Sequence, residues 1–250
     1  MGIVASGRIV FWEGGSLWVF DVPDAPPPAS RVQMHAHHAF QLTLALRGTY
    51  RLQLEDRAFE GPAAVVAPNV RHAFAPIGLI ALLFVEPESR AGRMLSSRLQ
   101  GAPAMPFDVA IPVGPIEAAF RNAGRDELRA IGQRMIRDIS GGASAPEPDR
   151  RVRRMLQWAR EHLDAPLSIE EAAKHVGLST SRASHLFVEQ TGLPFRTYLL
   201  WLRVTRAVDA YAGGATLTAA AQEAGFADSA HLSRTFRRMF GLSAATLQML

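Results

Sequence analysis

The stretch "GFADSAHLSRTFRRMFGL", residues 225–242, repeats in outline what the chain reads at 177–193, "GLSTSRASHLFVEQTGL". Ala172 and Ala173 correspond to Ala220 and Ala221, Gly177 to Gly225 and Leu178 to Phe226, all at an offset of 48. After one inserted residue the offset is 49: Ser184 meets Ser233, Phe187 meets Phe236, Gly192 meets Gly241 and Leu193 meets Leu242. Each copy reads as a short helix with small residues, a glycine turn, and a second helix with an aromatic on its buried face. Small residues let two helices cross closely, and glycine takes the left-handed conformation of a tight turn. This is the helix-turn-helix plan, in which the second helix lies in the DNA major groove. The plainer alternative is a pair of α-hairpins packed for stability alone.

Working outward, the surroundings are helical too. Val152, Leu156, Ala159 and Leu163 form an apolar stripe flanked by Arg150, Arg151, Arg153, Arg154 and Arg160. Ser168 followed by Glu171 is a capping box, in which each side chain satisfies a free N–H at a helix start. Gly177 ends that helix, Ser179 caps the next, and "FRTYLLWLRVTRAVDAY" links the two copies. Charge is concentrated here: residues 150–250 hold 13 basic and 8 acidic side chains, against 14 and 15 in residues 1–149. A basic half suits a polyanionic partner.

These segments, "SIEEAAKHVGLS", "FVEQTGLPFRTYLLWLRVTRA" and "AAAQEAGFADSAHLSRTFRRMFGLS", resemble the AraC/XylS family of bacterial transcription regulators in order, spacing and linking helix. The resemblance covers about 100 residues, from Arg150 to the end. It implies two units that enter successive major-groove segments on one face of the duplex, with Ser181, Arg182, Ser184 and His185 facing DNA from the first and Ser229, Ala230, Ser233 and Arg234 from the second. Arg237 and Arg238 are expected on phosphates. Leu186, Phe187, Leu232 and Phe236 are assigned to the core. Two departures from the family pattern are Ala183, in place of a larger aliphatic residue, and Ala244, where a proline commonly opens a last helix.

The first half alternates as strands do: "RIVFW", "SLWVF", "QLTLAL", "TYRLQLE", "AAVVAP" and "LIALLFV" are separated by Gly, Pro or acidic turns. Within "RVQMHAHHAFQLTLALRGTYRL" the H-x-H pair resembles the first motif of the cupin superfamily, with Gln41 in the usual Glu position, and a degenerate second motif ends at His72. On a continuous strand His35, His37, Gln41 and Thr43 share one face. With His72 they are assigned to an effector pocket; a metal site and plain hydrogen-bonded histidines are the alternatives, and no metal ligand or cofactor is assigned. His38 falls on the opposite parity and is expected to be structural or solvent-facing. Leu128, Ile131, Met135 and Ile139 recur at helical spacing, so one or two helices close this half. Their stripe suits a dimer surface and an open barrel face equally.

The expected fold is α+β and multidomain: a cupin-like β-barrel or jelly roll with helices at its end over residues 1–140, a Gly/Pro/Ser linker over 141–149, and an all-α double helix-turn-helix domain over 150–250. The implied partners are double-stranded operator DNA, a small-molecule effector, RNA polymerase where the protein activates, and a second copy of the chain. The chain has no cysteine, which excludes disulfides and thiolate chemistry. Its longest unbroken apolar run, Leu79–Val85, is far short of a membrane span. Its first residues lack the pattern of a signal peptide, so a cytoplasmic protein without a membrane partner is expected. No phosphate-cradling loop, H-E-x-x-H or G-x-S-x-G occurs, and no catalytic residue is assigned. The rival reading is a metal-binding cupin enzyme, a dioxygenase or isomerase, fused to a DNA-binding module.

Overall fold

The computed structural model describes residues 5–23, 32–108, 110–122, 124–140 and 147–250. The first half is a sheet. Strand β1 (Ala5–Trp12) turns through Gly14 into β2 (Gly15–Val22), which pairs with β7 (His72–Val85). Strand β7 also pairs with β4 (Phe40–Gln53), β4 with β6 (Ala63–Val66), and β6 with β8 (Ala104–Pro106), all antiparallel. Short strands β3 (Val32–His35) and β5 (Ala58–Phe59) pair with β7 and β4.

The sequence alternation suggests two strands across 41–55, but β4 runs unbroken through Gly48. There Gly48 faces Gly78, both at positive φ, beside a register shift between Ala45 and Arg47. A Cβ on Gly48 would strike the carbonyl of Ile77, and one on Gly78 that of Arg47. Two glycines thus let the long strands bend together where a side chain would force them apart.

Three helices cover one face of the sheet. Helix α1 (Arg90–Leu99), which the sequence reading does not include, is capped by Ser89, whose side chain accepts from the Gly92 N–H. Helices α2 (Val113–Arg121) and α3 (Arg125–Ser140) are the pair expected there. Leu128, Ile131, Met135 and Ile139 are buried in one core with Val10, Leu17, Leu42 and Leu83. The stripe therefore covers the sheet within this chain, which removes it as a dimer surface.

Of the expected linker, 141–146 lies outside the described residues. Beyond it come α4 (Arg150–Glu161), α5 (Ile169–Val176), α6 (Thr180–Thr191), α7 (Phe195–Ala212), α8 (Leu217–Glu223) and α9 (Ser229–Phe240). The local signals act as expected: Ser168 and Glu171 form the capping box, Gly177 takes φ 69° as C-cap, and Ser179 caps α6. Val152, Leu156, Ala159 and Leu163 are buried. Instead of a further α-helix after Ala244 there is one 3-10 turn, Ala244–Thr246, and then strand β9 (Leu247–Met249).

Strand β9 pairs in parallel with β1, Ala5 against Leu247 and Gly7 against Met249, so the end of the helical half extends the sheet of the first. Trp18, Phe20 and Phe84 of the sheet share a core with Tyr198, Trp201, Phe236 and Phe240 of α7 and α9. The two halves are packed on each other.

Candidate functional site

The outer faces of α6 and α9 carry every residue assigned to DNA. On α6, Ala183, Leu186 and Phe187 are buried; Ser181, Arg182 and His185 are exposed and Ser184 is half-buried. Ala183 is fully buried. On α9 the Asp228 side chain caps the start by accepting from the His231 N–H, and Leu232, Thr235, Phe236, Met239 and Phe240 face inward. Ala230, Arg234, Arg237 and Arg238 are exposed, and Ser229 and Ser233 are half-buried. The 3.6-residue period separates these faces: Arg234 and Phe236 are two positions apart, so they point in nearly opposite directions.

The inward face of α9 closes a cavity of about 290 Å³ against the sheet. Trp18, Phe20, Phe74, Ile80 and Phe84 line it from the sheet side, and Phe236, Phe240, Leu242 and Leu247 from the other. Among the described residues His35 and Gln41 are its polar lining, with no Lys or Arg among them. His37, Thr43 and His72, assigned to the same pocket from the sequence, lie behind this wall and are buried.

Those residues nonetheless converge. A turn over residues 36–39 separates β3 from β4, so they do not share one continuous strand; the turn and the β3 to β7 pairing bring them together instead. His35, His37 and His72 each place a ring nitrogen within 4.8 Å of the others, and all three are buried. Each Nδ1 sits beside a backbone carbonyl: Gln33 at 2.8 Å, Ala39 at 3.0 Å and Val70 at 2.9 Å. Burial, reinforced by the His72 ring, lowers the His35 pKa to about 3; burial also holds His37 and His72 below the ordinary imidazole range. All three are therefore neutral near pH 7. The Gln41 side chain lies 3.1 Å from His37 Nε2 and 3.1 Å from Thr43 Oγ1.

His38 is not solvent-facing. It is buried, with Nε2 2.9 Å from Glu88 Oε2, because the 36–39 turn points it toward the other half of the molecule. Arg160 of α4 bridges Glu86 at 2.7 Å and Glu88 at 3.6 Å, and Trp201 Nε1 of α7 lies 3.5 Å from Glu86. Burial and the Glu88 charge raise the Glu86 pKa; at Glu88 burial is the largest single influence and acts upward, but the His38 bond and charge, a backbone hydrogen bond and the Arg160 charge together outweigh it and lower the pKa. The sequence carries no motif for this network: Arg160 is 74 residues from Glu86, and Trp201 is 115.

The helix-turn-helix domain family matches residues 172–249, both recognition helices lying within that span. The arabinose operon regulatory protein of Escherichia coli is 35% identical over 141 residues, 52% of this chain and 47% of that one. The helical half is thus similar to the DNA-binding half of known transcription regulators. The transcriptional activator RhaS of Klebsiella pneumoniae is 31% identical over 44% of this chain and 40% of its own. The chain spans about half the length, or less, of the curated relatives it matches. Among solved structures, apo ToxT from Vibrio cholerae has a TM-score of 0.61 at 8% identity, covering 94% of this chain and 97% of that chain. Unsaturated fatty acid bound wild-type ToxT has 0.57 at 9%, covering 93% and 94%. This chain and ToxT thus share a fold, a sheet-rich first half followed by a helical second half.

Proposed function

We propose that this protein is a sequence-specific DNA-binding transcriptional regulator whose hold on operator DNA is set by a small molecule in the cavity beneath α9. One observation carries the reading: a single helix presents Arg234 outward and Phe236 and Phe240 to the cavity. Anything that fills or empties the cavity bears on the position of the second reading head. Helix α7 fixes the spacing of the two heads as a rod of 18 residues, about 27 Å. Within this reading Ser181, Arg182, Ser184, His185, Ser229, Ala230, Ser233 and Arg234 face the groove, and Arg237 and Arg238 hold phosphates.

The cavity favours an apolar effector with one uncharged hydrogen-bonding end, because its walls are hydrocarbon except at His35 and Gln41, and His35 is neutral. The unsaturated fatty acid on ToxT supports an apolar ligand; a sugar would leave most of its hydroxyls unpaired here. We read the sheet as a cupin-like barrel ending near residue 140, with the DNA-binding domain starting at Arg150. RNA polymerase, a second copy and a cytoplasmic setting belong to the same proposal. The rival reading, a cupin enzyme carrying a DNA-binding appendage, has less support: the relatives named above are regulators.

Genomic footprinting with the full chain tests the reading. The expected result is two protected segments on one face of the duplex, about 34 Å apart. Uniform coverage of all sequences, governed by salt alone, would reduce the protein to a non-specific coat.

A further inference from the structure

A second cavity, of about 330 Å³, lies between the β1–β2 hairpin of the first half and α4 and α7 of the second. Phe84 stands in its wall as well as in that of the cavity beneath α9. An apolar cavity of about 150 Å³ holds a benzene ring, so this one has room for a ring and a short chain. Phe11 and Trp12 on the hairpin and Trp201 on α7 give it aromatic walls. Glu13 and Asp209, also in its walls, are exposed, so the cavity meets solvent.

The charges in these walls do not balance. Among the described residues Glu13, Glu86 and Asp209 are acidic, and Arg160 and Arg206 are basic. Arg206 is engaged at 2.5 Å by Asp164, an exposed acid outside the cavity, and Asp209 has Arg125 at 3.6 Å. That leaves Arg160, which already serves Glu86 at 2.7 Å and Glu88 at 3.6 Å and feels the Glu13 charge as well. Glu88 Oε2 is taken by His38, and its Oε1 is buried without a hydrogen-bond partner. Burial and the Glu88 charge hold Glu86 above the ordinary carboxylate range in spite of Arg160. One guanidinium shared among three carboxylates leaves the cavity short of positive charge.

We propose that this cavity is a second ligand site, for an organic ammonium ion that carries an aromatic or other apolar group, with Glu13 and Glu86 receiving the cation and Trp12 and Trp201 packing on it. Aromatic faces attract a cation, and an ammonium N–H donates charge-assisted hydrogen bonds to a carboxylate. Trp201 ties the site to the second reading head, because its ring centroid lies 6.2 Å from that of Phe240 on α9. An occupant touching the hairpin and α7 together braces the docking of the two halves.

The test is isothermal titration of the full chain near neutral pH with phenethylamine, and with phenethyl alcohol and hydrocinnamate as its neutral and anionic counterparts. One equivalent of the amine is expected to bind, about tenfold tighter or more than the alcohol, the worth of a charge-assisted hydrogen bond. Hydrocinnamate should not bind. Glu13→Gln and Glu86→Gln should each weaken the amine toward the alcohol, and Thr205→Trp, which fills the cavity from α7, should abolish binding. Glu13 is exposed, so its variant keeps the test decisive if changes at Glu86 or Thr205 prevent folding. Absence of amine binding at millimolar concentration overturns the site, and so does equal binding of the amine and either counterpart. Undiminished amine binding in Glu13→Gln, or in folded Thr205→Trp, overturns it too, the latter by placing the amine in the cavity beneath α9. None of these readouts involves DNA.

Discussion

Trp18 of β2 lies nearly parallel to Phe236 of α9, ring centroids 6.4 Å apart and planes 10° from parallel. Phe240, one helical turn on, approaches Trp18 to 4.9 Å. The sheet thus grips the inner face of the helix whose outer face carries Arg234. Trp18 is 3% exposed, and truncating a buried aromatic costs about 3–5 kcal/mol. Trp18→Ala and Phe236→Ala should each fall in that range by chemical denaturation. The double variant should cost about 0.5–1.5 kcal/mol less than the sum, because the ring pair is lost only once. Strict additivity would mean that the two halves do not communicate through these rings.

Arg234 is exposed on the opposite side of the same helix. Arg234→Ala should weaken operator binding by about 1–3 kcal/mol if the guanidinium reads a base edge, with discrimination lost at one base pair. Arg237→Ala should instead weaken all sequences alike and reduce the salt slope by about 1. Gel-shift titrations at several salt concentrations separate the two. Equal affinity of Arg234→Ala and parent for every operator variant would take Arg234 off the contact surface.

What was legible in the sequence follows the range of the interactions. The caps at Ser168 and Ser179, the C-cap at Gly177 and the buried stripe of α4 are set within four residues of themselves, and local chemistry dictated them. The convergence of His35 and His37 with His72 could be suspected from the motif, although the parity argument assumed a strand that the 36–39 turn interrupts. The docking of the halves was not legible. Strand β9 replaces an expected helix because Leu247 and Met249 find an open edge on β1, more than 240 residues away in the chain. Nor does any local pattern mark Trp18 as the partner of Phe236, since an apolar residue on a strand looks the same whatever covers it.

The ionic network between the halves gives a pH-dependent test. Arg160→Met removes the guanidinium from Glu86 and Glu88, whose side chains are 13% and 4% exposed, and leaves both carboxylates with too little positive charge. Breaking a buried pair from one side costs about 3–5 kcal/mol. The sign is fixed by the folded-state shifts. Glu88 is held low in the parent, so its pairing stabilises the fold above the ordinary carboxylate pKa and is lost as pH falls through its lowered value. Glu86 is already raised, and without Arg160 it rises further, so it protonates first. The gap between variant and parent should therefore be widest near pH 7 and close as pH falls toward 4. A gap that stays constant from pH 7 to 4 would show that Arg160 acts through packing alone.

Two glycines with one role offer the sharpest contrast between local and interdomain effects. Gly177 caps α5 at φ 69° and Gly241 caps α9 at φ 72°, each in the left-handed region that costs other residues about 1–2 kcal/mol. Around Gly177 an added Cβ meets nothing within 4 Å. At Gly241 the same Cβ would collide with Gln33 O and crowd His35 Nδ1 and Val32, all from the first half of the chain. Gly177→Ala should thus lose about 1–2 kcal/mol and keep the halves docked. Gly241→Ala should lose that amount plus the Gln33 to Gly241 hydrogen bond, about 1 kcal/mol more, and push α9 away from the sheet. Hydrogen exchange reads this directly: the Gln33 amide should lose protection in Gly241→Ala and retain it in Gly177→Ala. Equal protection of Gln33 in both variants would mean that the α9 cap does not rest on β3 in solution.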